Sequence, residues 1–210
     1  MKVIYDAAHC FGVTYKGESI FNYGDVSLCS FHATKLFHTG EGGALFCQDQ
    51  QTYHDMWYRH NFGHDGPEKY YGLGINAKMS ELQAAMGLCV LPYMNDIITE
   101  RKRVCDYYDE HLDFLFLTKL KIRQHTEWNY AYYPIVFESE AQLLVTIQNL
   151  ETQNIYPRRY FYPSLEDLPY IDSKHCAIAN DIAKRILCLP LYTSLKEKDL
   201  ESIVTIINNG

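Results

Sequence analysis

The sequence predicts an α/β fold in which part of a larger domain is followed by a small carboxyl-terminal α/β domain. Three short apolar or β-branched runs near the start are bounded by Gly, Asp or Lys and are typical of buried strands: residues 3–5, 26–31 and 43–47. From Ser80 onward, apolar residues recur at spacings of three and four, which indicates helix. After Leu112 strand-like and helix-like runs alternate again. We therefore predict two domains, residues 1–112 and 113–210.

The helical part begins at Ser80 and carries an apolar stripe through Leu82, Ala85, Met86 and Cys89. Pro92 lacks a backbone N–H, so it should kink or restart the helix. A second helix is predicted over residues 96–112, with a solvated charged face at its Glu-Arg-Lys-Arg run.

The second domain is predicted to contain three strands and three helices. The strand-like runs are residues 114–122, 130–137 and 155–161, and the helices lie near residues 140–153, 174–184 and 196–207.

Composition narrows the class of protein. The net charge is -7 and the pI is near 5.7, which argues against a basic nucleic-acid-binding surface. No apolar run approaches the roughly 20 residues that span a bilayer. The seven cysteines are odd in number, widely spaced and mostly in apolar runs, as in reduced cytoplasmic proteins. Small molecules and protein are the expected partners, with no nucleic acid and no membrane.

Three polar residues follow predicted strands closely: Asp6, His9 and Lys35. In α/β sheets, ligands bind outside the carboxyl ends of the strands. A lysine held at such a rigid position can form a Schiff base with an aldehyde. A carboxylate at a neighbouring strand end can hold a pyridine nitrogen protonated, which makes the ring withdraw electrons. The combination predicts pyridoxal 5'-phosphate chemistry, although Asp6 could also be a turn residue and His9 a structural histidine.

Four ordered motifs carry a resemblance to a known family: Val-Ile-Tyr-Asp-Ala-Ala-His at 3–9, Ser-Phe-His-Ala-Thr-Lys at 30–35, Gly-Glu-Gly-Gly-Ala at 40–44 and Gly-Ile-Asn-Ala-Lys-Met-Ser at 74–80. They resemble the nucleotide-sugar aminotransferases of the DegT/DnrJ/EryC1/StrS family, and the likeness continues through residues 156–163 and 186–191. The resemblance implies the type I pyridoxal-phosphate aminotransferase fold. It also implies transamination, because relatives with histidine in place of Lys35 dehydrate their substrate.

The resemblance assigns further roles to single residues. Lys35 would bind the cofactor covalently and act as the base, while Asp6 would pair with the pyridinium and His9 would approach the ring and its phenolic oxygen. Ser30 would bind the phosphate, and Asn76 would reach the phosphate of a neighbouring subunit, so its role depends on a dimer. The role of Lys78 stays open. Residues Arg159 and Tyr160 either form a wall on the substrate side or belong to a solvated surface.

The complete family enzyme implied by the resemblance passes an amino group from glutamate to a nucleotide-linked keto-deoxysugar, dTDP-4-keto-6-deoxyglucose, for a surface-glycan precursor. A 3-keto sugar is the alternative within this enzyme class. The family's amino-terminal portion, with a Gly-Ser or Gly-Thr turn on the cofactor phosphate, has no counterpart before residue 3. We therefore expect a carboxyl-terminal fragment. It would act as a homodimer, pair with a chain that supplies the rest, or be a non-catalytic remnant.

Two other kinds of site are not supported by the sequence. His60 and His64 have the spacing of zinc ligands on a helix, but Asn-Phe-Gly between them opposes a helix and no Cys-x-x-Cys is present. The Gly-rich run at 40–43 lacks the Gly-Lys-Ser/Thr ending of a nucleotide phosphate loop.

Overall fold

The computed structural model describes residues 1–172 and 176–210. The strands are β1 (Ile4–Asp6), β2 (Thr14–Tyr15), β3 (Glu18–Ser19), β4 (Val26–Ser30), β5 (Gly43–Cys47), β6 (Leu117–Lys119), β7 (Thr126–Glu127), β8 (Pro134–Phe137) and β9 (Ile186–Cys188). The helices are α1 (Gln50–Arg59), α2 (Glu81–Val90), α3 (Met94–His111), α4 (Glu140–Thr152), α5 (Ala177–Arg185) and α6 (Glu197–Asn208). Among these described helices, none is long and apolar enough to cross a membrane.

Backbone contacts divide the chain into two compact units. Unit 1 consists of Met1–Asn95 and Ile122–Ala131, and unit 2 of Asp96–Lys121 and Tyr132–Gly210. This division differs from the predicted boundary at residue 112, because most of α3 packs within unit 2. There the fully buried Tyr108 donates a hydrogen bond to the carbonyl of Pro190 over 2.8 Å.

The main sheet of unit 1 has the strand order β1-β4-β5. Strands β1 and β4 are parallel, with Asp6 opposite Leu28, whereas β5 runs antiparallel to β4. The carboxyl ends of β1 and β4 therefore lie at the same edge of the sheet. A second small sheet, β3-β2-β7, brings residues 122–131 back to unit 1.

Local sequence explains the helices that follow. Ser80 caps α2 by accepting the backbone N–H of Gln83, and the Gln83 side chain accepts the N–H of Ser80, which completes a capping box. Pro92 lies in a one-turn 3-10 segment, Leu91–Tyr93, and α3 starts directly after it. The predicted interruption at Pro92 is thus confirmed.

Unit 2 is an antiparallel sheet, β6-β8-β9, with helices packed on it. Its core contains fully buried side chains from strands β8 and β9 and from the helices: Tyr108, Ile135, Phe137, Leu143, Leu150, Leu187 and Leu200. Ile135 and Phe137 alternate along β8, and Leu143 and Leu150 are two helical turns apart on α4, so each pair faces the core.

Several predictions of local structure were wrong or incomplete. Strand β1 is not buried, since Ile4 is 70% exposed at the sheet edge. Residues 155–161 form no strand but only a single bridge, between Arg158 and Cys188, because Pro157 cannot donate to a ladder. Helix α1 and the sheet β3-β2-β7 were not predicted at all. The predicted start of a helix at residue 174 lies outside the described residues, and α5 begins at Ala177.

Candidate active site

Two candidate residues end the parallel strands of unit 1. Asp6 is the last residue of β1 and Ser30 the last of β4. One carboxylate oxygen of Asp6 accepts the backbone N–H of Ala8 over 3.2 Å, and the Ser30 hydroxyl oxygen accepts the N–H of His32 over 3.3 Å. Each side chain thus shapes the turn that leaves its strand. The second Asp6 oxygen and the Ser30 hydroxyl hydrogen can still bind a ligand.

The Lys35 amine meets the His9 imidazole. The Lys35 Nζ and His9 Nε2 atoms are 2.7 Å apart, although the residues are 26 positions apart in sequence. Burial lowers the pKa of His9, and the positive charge of Lys35 lowers it further, while Asp6 acts in the opposite direction. The lowered pKa favours the imidazole form whose Nε2 atom can accept a hydrogen bond from the Lys35 amine. The structure thus brings together the lysine and the histidine that the sequence singled out.

A closed loop holds Lys35 in place. The backbone N–H groups of Phe31 and Ala33 donate to the carbonyls of Gly42 and Gly40, each over 2.8 Å. The N–H of Lys35 itself donates to the carbonyl of His32 over 2.9 Å. Two residues on, the buried Phe37 ring stacks on the ring of Phe11, with 4.5 Å between the centroids. Because packing and backbone bonds fix both sides of Lys35, its amine is presented from a rigid support.

A residue that the sequence analysis missed ties this region together. The Asn129 side chain is 2% exposed, and its amide donates to the carbonyls of His9 (2.9 Å) and Phe11 (2.8 Å). Its amide oxygen accepts the N–H of Ala131 over 3.1 Å. No motif marks Asn129, because the contact joins segments that are 120 residues apart.

Asn76 lies on a different loop of unit 1. This exposed residue accepts a hydrogen bond from Lys78 Nζ over 2.7 Å, and the same ammonium lies 4.1 Å from the centroid of the Phe62 ring. In the part of the chain that the structure describes, the Asn76 side chain bonds to Lys78 and not to Lys35, His9 or Ser30. Its predicted role at a neighbouring subunit's cofactor stays a prediction.

Arg159 and Tyr160 belong to unit 2. Arg159 donates to the Glu140 carboxylate and to the carbonyl of Lys184, both over 2.8 Å. Its guanidinium stacks 3.7 Å from the centroid of the Tyr162 ring, and the Tyr160 ring contacts those of Tyr132 and Phe161. Arg159 therefore already links α4 to the end of α5. A role in substrate binding stays a prediction for both residues.

Comparison with known proteins identifies the family. The profile of the DegT/DnrJ/EryC1/StrS aminotransferase family matches residues 1–208. The chain belongs to this family. This confirms the resemblance carried by the motifs around Asp6, Lys35 and Asn76.

Among the relatives of this DegT-family chain is the dTDP-4-amino-4,6-dideoxy-D-glucose transaminase of Shigella dysenteriae. It is 37% identical over 99% of the chain, and the match covers 58% of the relative. The chain thus spans a little over half the length of the curated relatives that it matches.

Solved structures confirm the predicted fold. DesI in the presence of its TDP-sugar product is 30% identical, with a TM-score of 0.88 over 100% of the chain and 55% of DesI. The PLP form of the putative sugar aminotransferase Spr1654 from Streptococcus pneumoniae is 24% identical, with a TM-score of 0.89 over 99% of the chain and 57% of Spr1654. Spr1654 also has a solved PMP form.

Proposed function

We propose that the chain acts in the pyridoxal-phosphate-dependent transfer of an amino group from glutamate to a nucleotide-linked keto-deoxysugar. The observation that carries this proposal is the 2.7 Å contact between Lys35 and His9, beside the strand edge where Asp6 and Ser30 end β1 and β4. An amine, an imidazole, a carboxylate and a hydroxyl are brought into one region of unit 1.

The chemistry of this set of side chains fits pyridoxal phosphate. The Lys35 amine can hold the aldehyde carbon, the Asp6 carboxylate can accept the pyridinium N–H, and the Ser30 hydroxyl can donate to a phosphate oxygen. When bound, the cofactor supplies a ring that withdraws electrons from the carbon that exchanges its proton. The PLP and PMP forms of Spr1654 support the same cofactor for this chain.

Lys35, His9 and Asp6 would each have a separate role in the reaction. Lys35 moves a proton to and from the substrate carbon, which requires its amine to be neutral at that step. The His9 imidazole, whose pKa is lowered by burial and by Lys35, would accept a hydrogen bond from the Lys35 amine and so fix the direction of that amine. The Asp6 carboxylate would pair with the protonated ring nitrogen.

The substrate proposal rests on the relatives. The Shigella relative is a dTDP-4-amino-4,6-dideoxy-D-glucose transaminase, and DesI was solved with its TDP-sugar product. We propose dTDP-4-keto-6-deoxyglucose as the acceptor and glutamate as the donor, in the cytoplasm, for a surface-glycan precursor. A 3-keto sugar remains the alternative.

A homodimer is part of the proposal. Helix α2 is apolar around most of its circumference, yet Leu82 is 85% and Leu88 71% exposed. Apolar helix faces of this kind are covered by another surface in functional proteins. A partner subunit that covers α2 would lie near Asn76, since Asn76 precedes α2 by only a few residues. Sedimentation equilibrium of the wild-type chain measures this directly, and a monomer at micromolar concentration would contradict it.

The second candidate is a subunit or remnant that does not catalyse the reaction by itself. The match covers only 58% of the Shigella relative, and β1 leaves apolar residues exposed at the sheet edge. Under this alternative Lys35 would still bind the cofactor, but amination would require a chain that supplies the rest of the relatives' length.

One experiment tests the cofactor site, and a second separates the two candidates. The chain is mixed with pyridoxal phosphate, its visible absorption is recorded, and borohydride reduction is followed by peptide mapping. We expect the label on Lys35, its loss in Lys35→Ala, and its retention in Lys78→Ala, which removes an exposed lysine of the same unit. A label on another lysine of the folded protein would refute the site.

Amination is then measured with glutamate and either dTDP-4-keto-6-deoxyglucose or the 3-keto sugar. We expect the purified chain alone to show little turnover, and co-expression with the amino-terminal portion of a relative to restore it. Turnover by the chain alone would refute the non-catalytic alternative. A labelled Lys35 without turnover in any combination would refute the proposed reaction while leaving the cofactor site intact.

A further inference from the structure

The Asn129 side chain bonds directly to the backbone of the His9 turn and of the residues that follow it. Its amide group donates to the carbonyl of His9 itself and to that of Phe11, two residues further on. The turn is also closed by its own backbone, because the N–H of Cys10 donates to the carbonyl of Ala7 over 2.9 Å. The backbone just after the imidazole is therefore fixed by one buried amide, and the backbone before it by the turn's own hydrogen bond.

The third bond of Asn129 fixes the amide itself. Its oxygen accepts the N–H of Ala131, so the NH₂ group must face His9 and Phe11. An aspartate at this position would place a carboxylate oxygen, in place of the NH₂ group, against the carbonyl oxygens of His9 and Phe11, and the oxygens would repel each other. The site therefore requires an amide and not merely a side chain of this size.

We infer that Asn129 is a positioning residue, which holds the His9 backbone so that the imidazole reaches the Lys35 amine. The inference rests on the proposed function for the role of Lys35, but the geometry of Asn129 does not depend on it. Asn129 touches neither nitrogen of the 2.7 Å contact and acts through His9.

The alternative is that Asn129 only stabilises the fold, as most buried hydrogen-bonded amides do. The two roles differ in what happens to His9 in a folded variant. The charged groups that act on His9 are Lys35 and Asp6, and burial acts together with Lys35 to lower its pKa. If Asn129 positions His9, its removal lets the imidazole turn toward solvent and away from Lys35.

The test is the titration of the His9 ring by NMR, in the chain without cofactor. In Asn129→Ala, we expect the His9 pKa to rise toward the ordinary value of about 6.5. We also expect loss of the nuclear Overhauser contact between the His9 and Lys35 side chains. Asn208→Ala is the control, because the exposed Asn208 side chain also bonds backbone groups, donating to the carbonyl of His111 and accepting the N–H of Asp113, but lies in unit 2. It should leave the His9 pKa unchanged.

A His9 pKa that stays lowered in folded Asn129→Ala would overturn the inference. If that variant does not fold, Asn129→Ser, whose hydroxyl can still donate one bond, is titrated in its place with the same two criteria. Solvent exchange of the Asn129 side-chain amide in the wild-type chain is the measurement that needs no variant. Exchange as fast as that of an exposed amide would contradict the hydrogen bonds on which the inference rests. Because no cofactor is added, a failure here is distinct from a failure of Lys35 labelling.

Discussion

The loop that carries Asn76 depends on two glycines that cross at close range. A Cβ atom on Gly74 would lie 2.1 Å from the backbone nitrogen of Gly63, and one on Gly63 would lie 1.8 Å from the carbonyl oxygen of Gly72. Around this crossing, the N–H of Phe62 donates to the carbonyl of Ile75 over 2.9 Å, and the N–H of Ile75 donates to that of Arg59 over 2.8 Å. Substitution of Gly74 should therefore open the loop just before Asn76.

The magnitude follows from the distances. Ordinary van der Waals contact begins at 3.4 Å, so Gly74→Ala must separate the two segments by more than an ångström. A displacement of that size lengthens both backbone bonds beyond hydrogen-bonding distance. At about 1 kcal/mol for each lost bond and up to about 1 kcal/mol of residual strain, we expect a destabilisation of about 2–3 kcal/mol.

Gly66→Ala is the matched control in the same loop. Gly66 also has a positive φ, 89°, but a Cβ there meets nothing within 4 Å. The left-handed conformation costs alanine about 1–2 kcal/mol, and the reduced freedom of the unfolded chain offsets about 0.4–1 kcal/mol of this. The control should therefore be destabilised by about 0–1.6 kcal/mol, without a clash.

Urea unfolding measures the free energy of each variant, and hydrogen exchange measures protection of the Phe62 and Ile75 amides. Gly74→Ala should lose protection at both amides, whereas Gly66→Ala should keep it. The reasoning is refuted if the two variants unfold within about 0.5 kcal/mol of each other and both amides stay protected.

Three further predictions concern the cofactor site, the core of unit 2 and the thiols. In the active assembly, Asp6→Asn should lower turnover about 10²- to 10³-fold while Lys35 is still labelled. The reason is that an ion pair between the Asp6 carboxylate and a pyridinium near 4 Å contributes on the order of 4 kcal/mol at an effective dielectric of 20. Turnover within threefold of wild type would mean that Asp6 is only a turn residue. Tyr108→Phe should lower the free energy of unfolding by about 1–2 kcal/mol, since the carbonyl of Pro190 loses its buried donor, whereas the exposed Tyr170→Phe should change it little. Burial raises the thiol pKa of Cys29 and Cys188 to about 11 and that of Cys105 to about 12. Because the thiols of the unfolded chain lose their protons at lower pH, the free energy of unfolding should fall as the pH rises above about 9. A flat profile between pH 9 and 11 would contradict the burial of these thiols.

The sequence predicted well where a short stretch carries the whole signal. Ser80 and Gln83 form a capping box from residues three apart, and Pro92 interrupts the helices because its own ring removes a donor. The ends of β1 and β4 were placed to within one residue, which put Asp6 and Ser30 at the site. The family, too, was identified from short motifs.

Some errors came from signals that were local but weak. Helix α1 carries Tyr53, Met56 and Trp57 at helical spacing, but the run is short and no residue of the helix is buried, so the signal was weak. Residues 155–161 have the composition of a strand, yet strand formation requires a partner ladder, and only Arg158 has one.

By itself, the sequence determined which side chains could do the chemistry, because an amine after one strand and a carboxylate after another are properties of neighbouring residues. Only the tertiary structure decided which of them meet. It placed Lys35 Nζ against His9 across 26 residues, and it brought Asn129 to the His9 backbone across 120. It also returned residues 122–131 to unit 1 and assigned most of α3 to unit 2. Such contacts depend on the path of the whole chain and on the burial of distant surfaces, for which a stretch of neighbouring residues carries no signal.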